Sequence, residues 1–388
     1  MKKGWEYKKL GEVGTFKRGG NFSKKDFVEE GFPCIHYGQI HMKFGIETFK
    51  HLSSVPVEMV KPDRCAQKGD LVIAVTSEDD EGSCKCTAWM ADYEAYVGGH
   101  AAIFHHTMEP KFVSYYFLSP YFQKAKLEYT HGFKVVEINP KDIAKISIPV
   151  PTLSEQKEIV EYLDSSFAKI DTLKANVAKN LDEAKALFQS ALKEALEPKK
   201  GWEEKTMDDV CVLSQGLAIN SKTKHLLVEK SSIPLLRIKD MKDGTREVFV
   251  DDVNYPPKCL AHPDELIYTR TGTLGLIFTG MFGIVHNNCF KIKLDEKILN
   301  KYYYMYFVSS DNFRNMILSI ASRAAQPDIT HKLFKVQKIQ FPPLYEQQGI
   351  VSRLDSLNEK VNTLQQNYSR ICSECDALKQ AILRQVFE

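Results

Sequence analysis

Several residue groups in this sequence have the types that catalysis or metal binding uses, but not the spacing. Cys84-x-Cys86 lies near His105-His106, and Cys372 and Cys375 sit three apart. A structural zinc site needs four ligands at characteristic spacing; a Cys-x-Cys with a distant His pair does not match it, and Cys372 with Cys375 has no second pair. Asn254-Tyr255-Pro256-Pro257 holds the residues with which amino-methyltransferases grip a target amine, in the wrong order. Asp295-Glu296-Lys297 contains a nuclease-like Asp-x-Lys and reads better as a solvated turn before a helix. Thr271-Gly272-Thr273-Leu274-Gly275 bears glycines outside any βαβ unit. A nucleotide-hydrolysing phosphate loop is absent. The pattern is that of a binding protein rather than an enzyme.

The chain has 388 residues, 43% hydrophobic and 26% charged, enough for two or three domains with cores of their own. No apolar run of 18 residues occurs, and the opening Met-Lys-Lys-Gly-Trp-Glu-Tyr has no apolar signal core. Nine scattered cysteines fit a reducing compartment, and a cytoplasmic location is expected. The net charge of +2 is uneven. Residues 1–150 carry +1 and 198–344 carry +5, against −3 over 154–197 and −1 over 345–388.

The chain repeats itself. Gly4-Trp5-Glu6 returns as Gly201-Trp202-Glu203. Pro151-Thr152-Leu153-Ser154-Glu155-Gln156 returns 191 residues later as Pro342-Pro343-Leu344-Tyr345-Glu346-Gln347, and Leu163-Asp164 as Leu354-Asp355. Pro33-Cys34-Ile35 parallels Pro234-Leu235-Leu236, Gly69-Asp70-Leu71 parallels Asp264-Glu265-Leu266, and His100 parallels His286. Each half is one mixed α and β segment followed by one long helix, with boundaries at 1–150, 151–198, 199–343 and 344–388. Strands are expected at 71–75, 146–148, 266–269 and 338–340, and helices at 112–129 and 298–320.

Between Ser154 and Leu196 there is no proline or glycine. Ile159, Leu163, Ile170, Leu173, Val177, Ala184, Leu187 and Ala191 form a heptad seam. It recurs as Ile350, Leu354, Val361, Leu364, Tyr368, Cys375, Leu378 and Ile382. Proline ends the segment before each helix, and Ser154 with Glu155 is expected to cap the first. Such a helix, about 60 Å long, cannot bury its seam alone. Two matching seams favour pairing within the chain over a homodimeric coiled coil.

These features, above all the paired Pro-rich entry, Glu-Gln and long helix, resemble the specificity (S) subunit of prokaryotic type I restriction–modification systems. The resemblance covers the whole chain, with Asp264-Glu265 departing from the usual Gly-Asp. It implies an α+β fold: two mixed α/β target recognition domains, each followed by a long helix. The two helices would pack as an antiparallel intramolecular coiled coil with pseudo-twofold symmetry. Each domain would read one half of a split, asymmetric site on double-stranded DNA, and the helices would set the spacing. Two modification subunits would bind S-adenosylmethionine and methylate adenine, and a restriction subunit would add ATP- and Mg-dependent cleavage. This chain would hold no cofactor and no metal and would not meet a membrane. A solitary methyltransferase or nuclease with diverged motifs, and a coiled-coil scaffold without DNA affinity, are the rival readings.

Base edges are read by Arg or Lys on guanine and Asn or Gln on adenine. Loop positions with such residues are Lys17, Arg18, Asn21, Tyr37, Gln39 and Lys134 in the first half. In the second they are Arg237, Lys239, Arg270, Thr271, Asn287, Asn288, Arg323 and Gln326. Lys24, Lys25, Lys222 and Lys224 are placed to hold phosphates. The recurring Glu155, Gln156, Glu346 and Gln347 serve either to build the domain–helix junction or to dock a modification subunit.

Overall fold

The computed structural model describes residues 4–132, 135–321 and 328–388. The chain divides into two compact units, one of Met1–Ala178 with Tyr368–Glu388, the other of Lys179–Asn367. Each unit therefore combines one mixed domain with half of each long helix. The long helices run Leu153–Ala195 and Leu344–Phe387.

In each unit the two sequence anchors of the repeat pair with one another. Glu6–Lys9 lies antiparallel to Ser147–Val150, and Glu203–Thr206 to Lys338–Phe341. The strand that opens each domain is thus tied to the strand that feeds its long helix. The body of the first domain is two sheets. One has the order Gly14–Arg18, Ala101–His106, Leu71–Ala74, Cys86–Trp89, Glu47–Thr48. In the other, Phe32–Ile35 runs parallel to Ala95–Val97. The second domain repeats this with Cys211–Gln215, Cys289–Leu294, Leu266–Thr269 and Ile277–Phe278, and with Ile233–Leu236 parallel to Gly283–Val285. Strands such as Leu71–Ala74 are apolar at every position because both faces are covered. The aromatic segments read as single helices are each broken in two, at Ser119 and Ser310, whose hydroxyls cap the following turn.

Asp70 and Glu265 hold the same turn. Asp70 accepts from the Gln67 backbone N–H at 2.6 Å, and Glu265 from that of His262 at 3.0 Å. The departure at Asp264-Glu265 therefore keeps the loop's geometry with a side chain one methylene longer.

The first long helix is capped by Thr152, not Ser154. Thr152 Oγ1 and backbone N–H both reach Glu155, whose own N–H returns to Thr152. In the first unit the helices run antiparallel, with Lys174 paired to Asp376 and Asp171 to Lys379. Four of the sixteen expected seam positions are corrected. Leu163, Ile170 and Leu354 are buried, and Ile159, Val177, Ile350, Val361, Tyr368 and Ile382 are half-buried. Leu173, Leu187, Leu364 and Leu378 are exposed, between 42% and 71%. The covered positions of the second line lie one residue on, at Phe167, Lys174, Leu181 and Phe188, and in the second helix at Val351, Asn358, Cys372, Lys379 and Val386. Lys174 and Lys379 cover the seam with their alkyl stems while their ammonium groups pair at its rim. Lys379 also lies over the Phe167 ring, 5.0 Å from its centroid.

Candidate nucleic-acid interface

In each domain polar candidates gather around the turn that links the two sheets, at 98–100 in the first and 286–288 in the second. Two glycines open the edge at this turn. At Gly19 an added Cβ would stand 2.2 Å from Gly98 O, and at Gly216 2.3 Å from His286 O. Only glycine permits that approach. It lets Gly20 N–H donate to Val97 O (2.7 Å) and Leu217 N–H to Val285 O (2.6 Å).

In the first domain Arg18 Nε donates to Gly99 O at 2.9 Å, and its Nη2 to Glu137 at 2.6 Å. Asn21 is exposed beside Gly99, and Lys17 is exposed on the same strand. The Tyr37 ring lies 5.0 Å from His100 and 6.0 Å from His41. His41 Nε2 donates to Thr76 O at 3.1 Å. Burial, then Lys24 and His100, lowers the His36 pKa, keeping the ring neutral while its Nδ1 accepts from Gly38 N–H. Arg18, Asn21 and Tyr37 thus gather around the turn at Gly99 and His100, whereas Lys17 lies one residue back on the strand, opposite Ile103. Gln39 is not free to read a base. Its Oε1 accepts from His36 N–H and its Nε2 donates to Ser53, because a helix starting at Tyr37 needs that capping box.

In the second domain Asn287 and Asn288 occupy the matching turn, with Asn288 exposed. Asn288 O accepts from both Arg270 and Thr271 N–H. The cationic candidates are largely spent on partners. Arg237 forks onto Asp240 and reaches Glu247, which also takes Lys239. These contacts hold the Asp240 and Glu247 carboxyls below their usual range. Burial, with Arg237 nearby, lowers the pKa of His286. Arg270 is bidentate on Asp328 and mostly buried. Lys134, Arg323 and Gln326 lie outside the described residues.

Glu137 and Asp328 hold equivalent places. Ile138 N–H donates to Val75 O just as Ile329 N–H donates to Arg270 O. Each carboxylate meets an arginine, but from a different strand. The two pairs differ in strength. Both members of Arg18–Glu137 are more than 40% exposed, so Arg18→Ala is expected to cost under about 1 kcal/mol. Arg270→Ala leaves Asp328 without its fork and is expected to cost about 2 kcal/mol, less than for a fully buried pair because Asp328 is a third exposed. Urea titration of the two variants checks the order. Arg18 can therefore turn to a phosphate or base at small cost, and Arg270 cannot.

The backbone register also corrects the histidine match. Gly98 N–H donates to Ile35 O and His286 N–H to Leu236 O, and their carbonyls accept from Ala101 and Cys289. His286 therefore stands where the first domain has Gly98, and Asn288 where it has His100. Turns of near-equal length let a two-residue offset pass unseen in sequence.

Gln156 and Gln347 are removed from the docking surface, being 2% and 0% exposed. Gln156 Oε1 accepts from Glu109 N–H at 2.8 Å, and its Nε2 donates to Pro151 O at 2.8 Å. Gln347 does the same with Asn300 N–H (2.7 Å) and Pro342 O (2.8 Å), and adds Ile298 O (2.9 Å). Each clamps a domain helix to a long helix, and Glu155 is spent on the Thr152 cap. A second clamp escaped the sequence reading. Tyr115 Oη donates to Asp164 and Tyr306 Oη to Asp355, which explains the recurring Leu-Asp.

Among the described residues no group of three or more His, Cys, Asp or Glu could hold a metal ion. Cys84 and Cys86 are buried, and burial pushes the Cys84 thiol up to about 12. Among the described residues no helix is long and apolar enough to cross a membrane.

Comparison with known proteins agrees with this architecture. The chain is 23% identical over its full length to the StySPI specificity subunit of Salmonella potsdam, and 23% to the EcoKI specificity subunit of Escherichia coli K12, covering 89% of each. Its fold matches a chain solved in a study of complex assembly and conformational transition of the type I R-M system. That match has 19% identity and TM-score 0.82, and covers 100% of this chain and 98% of that one. It also matches the HsdS subunit of Thermoanaerobacter tengcongensis, with 20% identity and TM-score 0.62, covering 99% and 96%. The family model described as type I restriction modification DNA specificity domain matches residues 2–182 and 199–371. Two such domains, each joined to a long helix by a buried glutamine, place the chain in the family of type I restriction–modification specificity subunits.

Proposed function

We propose that the chain reads a split, asymmetric site on double-stranded DNA and brings adenine-methylating modification subunits to it, without catalysing a step itself. One observation carries this reading. The two domains share one topology, yet equivalent places on their glycine-opened edges hold different side chains: Gly98 against His286, His100 against Asn288. Different groups at matching positions select different half-sites, since each base pair presents its own donor and acceptor pattern. S-adenosylmethionine, ATP and Mg belong to the partner subunits in this reading. Two modification subunits would use the outer helix faces, where Leu173, Leu187, Leu364 and Leu378 are exposed.

The test is single-molecule methylation sequencing of host DNA with the modification subunit supplied, with and without this chain. A two-part adenine motif is expected only with the chain present. Replacing residues 1–150 by those of a related subunit should change one half of the motif and leave the other intact. Binding of the assembled complex should fall about a thousandfold or more between 50 and 200 mM salt if six or more phosphates are contacted. Absence of any motif from a soluble, assembled complex would overturn the reading in favour of a scaffold.

A further inference from the structure

Lys126 is 1% exposed, and its ammonium has no carboxylate hydrogen-bonded to it. Nζ donates instead to Ser83 O at 2.6 Å and to Glu81 O at 3.4 Å. Burial lowers its pKa, while Asp79, Asp80 and Glu81 act in the opposite direction. Desolvating an ammonium is costly, and the fold does not require it. Ser119 and Ser310 cap equivalent helices through Phe122 and Phe313. Four residues beyond those phenylalanines the second domain has Ile317, fully buried, in place of Lys126.

What differs between the domains is the connection this lysine holds. Ile73 pairs with Cys86 and Tyr268 with Ile277, so the connection over 74–85 is four residues longer than that over 269–276. The shorter one closes on itself, because Thr269 Oγ1 donates to Thr273 O and accepts from Leu276 N–H. The longer one is also bridged internally, by Gly82 N–H on Asp79 Oδ1 and Ser83 Oγ on Asp80 O, but it holds Cys84 at φ +62°, the positive-φ residue other than glycine among those described, and two of its carbonyls are bound by Lys126 from the helix Pro120–Lys126. It is also part of the candidate edge. Thr76–Ser77 pairs with Val136–Glu137, Glu137 holds Arg18, Thr76 O accepts from His41, and Lys85 Nζ donates to His41 O at 2.6 Å.

We propose that Lys126 is a positioning residue for the first half-site: its buried ammonium fixes the 74–85 connection against the edge that carries Arg18, Tyr37 and His41. This rests on the DNA-reading function proposed above and adds which interior group sets the shape of one reading edge. Position 126 acts through the connection and does not touch DNA.

The experiment uses the full chain assembled with its modification subunit, and duplexes altered in one half-site at a time. Lys126→Met keeps an unbranched side chain in an interior that tolerates Ile317 in the other domain. Discrimination against single-base changes in the first half-site should fall about tenfold or more, with discrimination in the second half unchanged. A second chain, lacking residues 78–81, gives the connection the length found in the second domain. In that background Lys126→Met should change first-half discrimination less than about twofold, as expected when two changes act through one element. Unaltered first-half discrimination in the single variant overturns the inference. So does an equal loss in both halves, which would make Lys126 a general stability residue. If the unaltered complex fails to methylate a split motif, the failure belongs to the proposed function and not to Lys126.

Discussion

Gln347→Ala is expected to destabilise the second unit by about 3–5 kcal/mol. Its amide satisfies three backbone groups, Asn300 N–H, Ile298 O and Pro342 O, at a site with no solvent exposure. Each buried backbone group left unsatisfied costs roughly 1–3 kcal/mol, and water entering the vacated space recovers part of the total. Gln156→Ala removes two such bonds and should cost about 2–3 kcal/mol on the same grounds. Gln347→Glu is nearly isosteric, but an ionised carboxylate is acceptor-only and would face Ile298 O and Pro342 O. At pH 7 it should be no more stable than the alanine variant. Urea unfolding followed by circular dichroism measures all three. A loss under about 1 kcal/mol for Gln347→Ala would show that the glutamine does not hold the junction. Because the clamp joins the helix beginning at Lys301 to the long helix beginning at Leu344, its loss should also loosen the domain on its spacer.

The second large effect separates two lines of leucines that look alike in sequence. Leu163→Ala and Leu354→Ala should each cost about 2–5 kcal/mol, because both side chains are fully buried and a cavity remains. Leu173→Ala and Leu364→Ala should cost about 1 kcal/mol or less, since those residues are already 49% and 42% exposed. Equal losses in both pairs would place Leu173 and Leu364 back in the helix seam. If the exposed leucines serve the modification subunit, Leu173→Ala and Leu364→Ala should weaken assembly of the complex while leaving the free chain's melting temperature little changed. A pull-down with the modification subunit reads that directly.

The misplaced seam has a plain cause. Leucine at 173 and 187 fits a heptad, and hydrophobicity favours it over Lys174. A long cationic side chain can nevertheless cover apolar neighbours with its methylenes and leave its charge at the rim, as Lys174 and Lys379 do. Sequence counts the charge; packing uses the stem.

The candidate site was legible in part for a similar reason. Arg18, Asn21 and Tyr37 fall around one turn, and so do Arg270, Thr271, Asn287 and Asn288, while Lys17 lies one residue back on its strand. Residue type suggested them as groups that could reach a base. Type alone could not show that Gln39 is occupied by a capping box, or that Arg237 and Arg270 are tied to Asp240 and Asp328. Those partners come from loops and strands whose approach is set by the fold.

By itself the sequence determined the twofold repeat, the two long helices, the strand that ends each domain, and the family. These follow from local signals: proline before a helix, a long run without proline or glycine carrying a heptad-like apolar pattern, and anchors recurring at a constant offset. Only the tertiary structure decided which line of each heptad is covered, that Gln156 and Gln347 face inward, that His286 matches Gly98, and that Lys126 stands where the other domain has Ile317. Each of these depends on what packs across from a residue, and burial is a property of the neighbour as much as of the side chain itself.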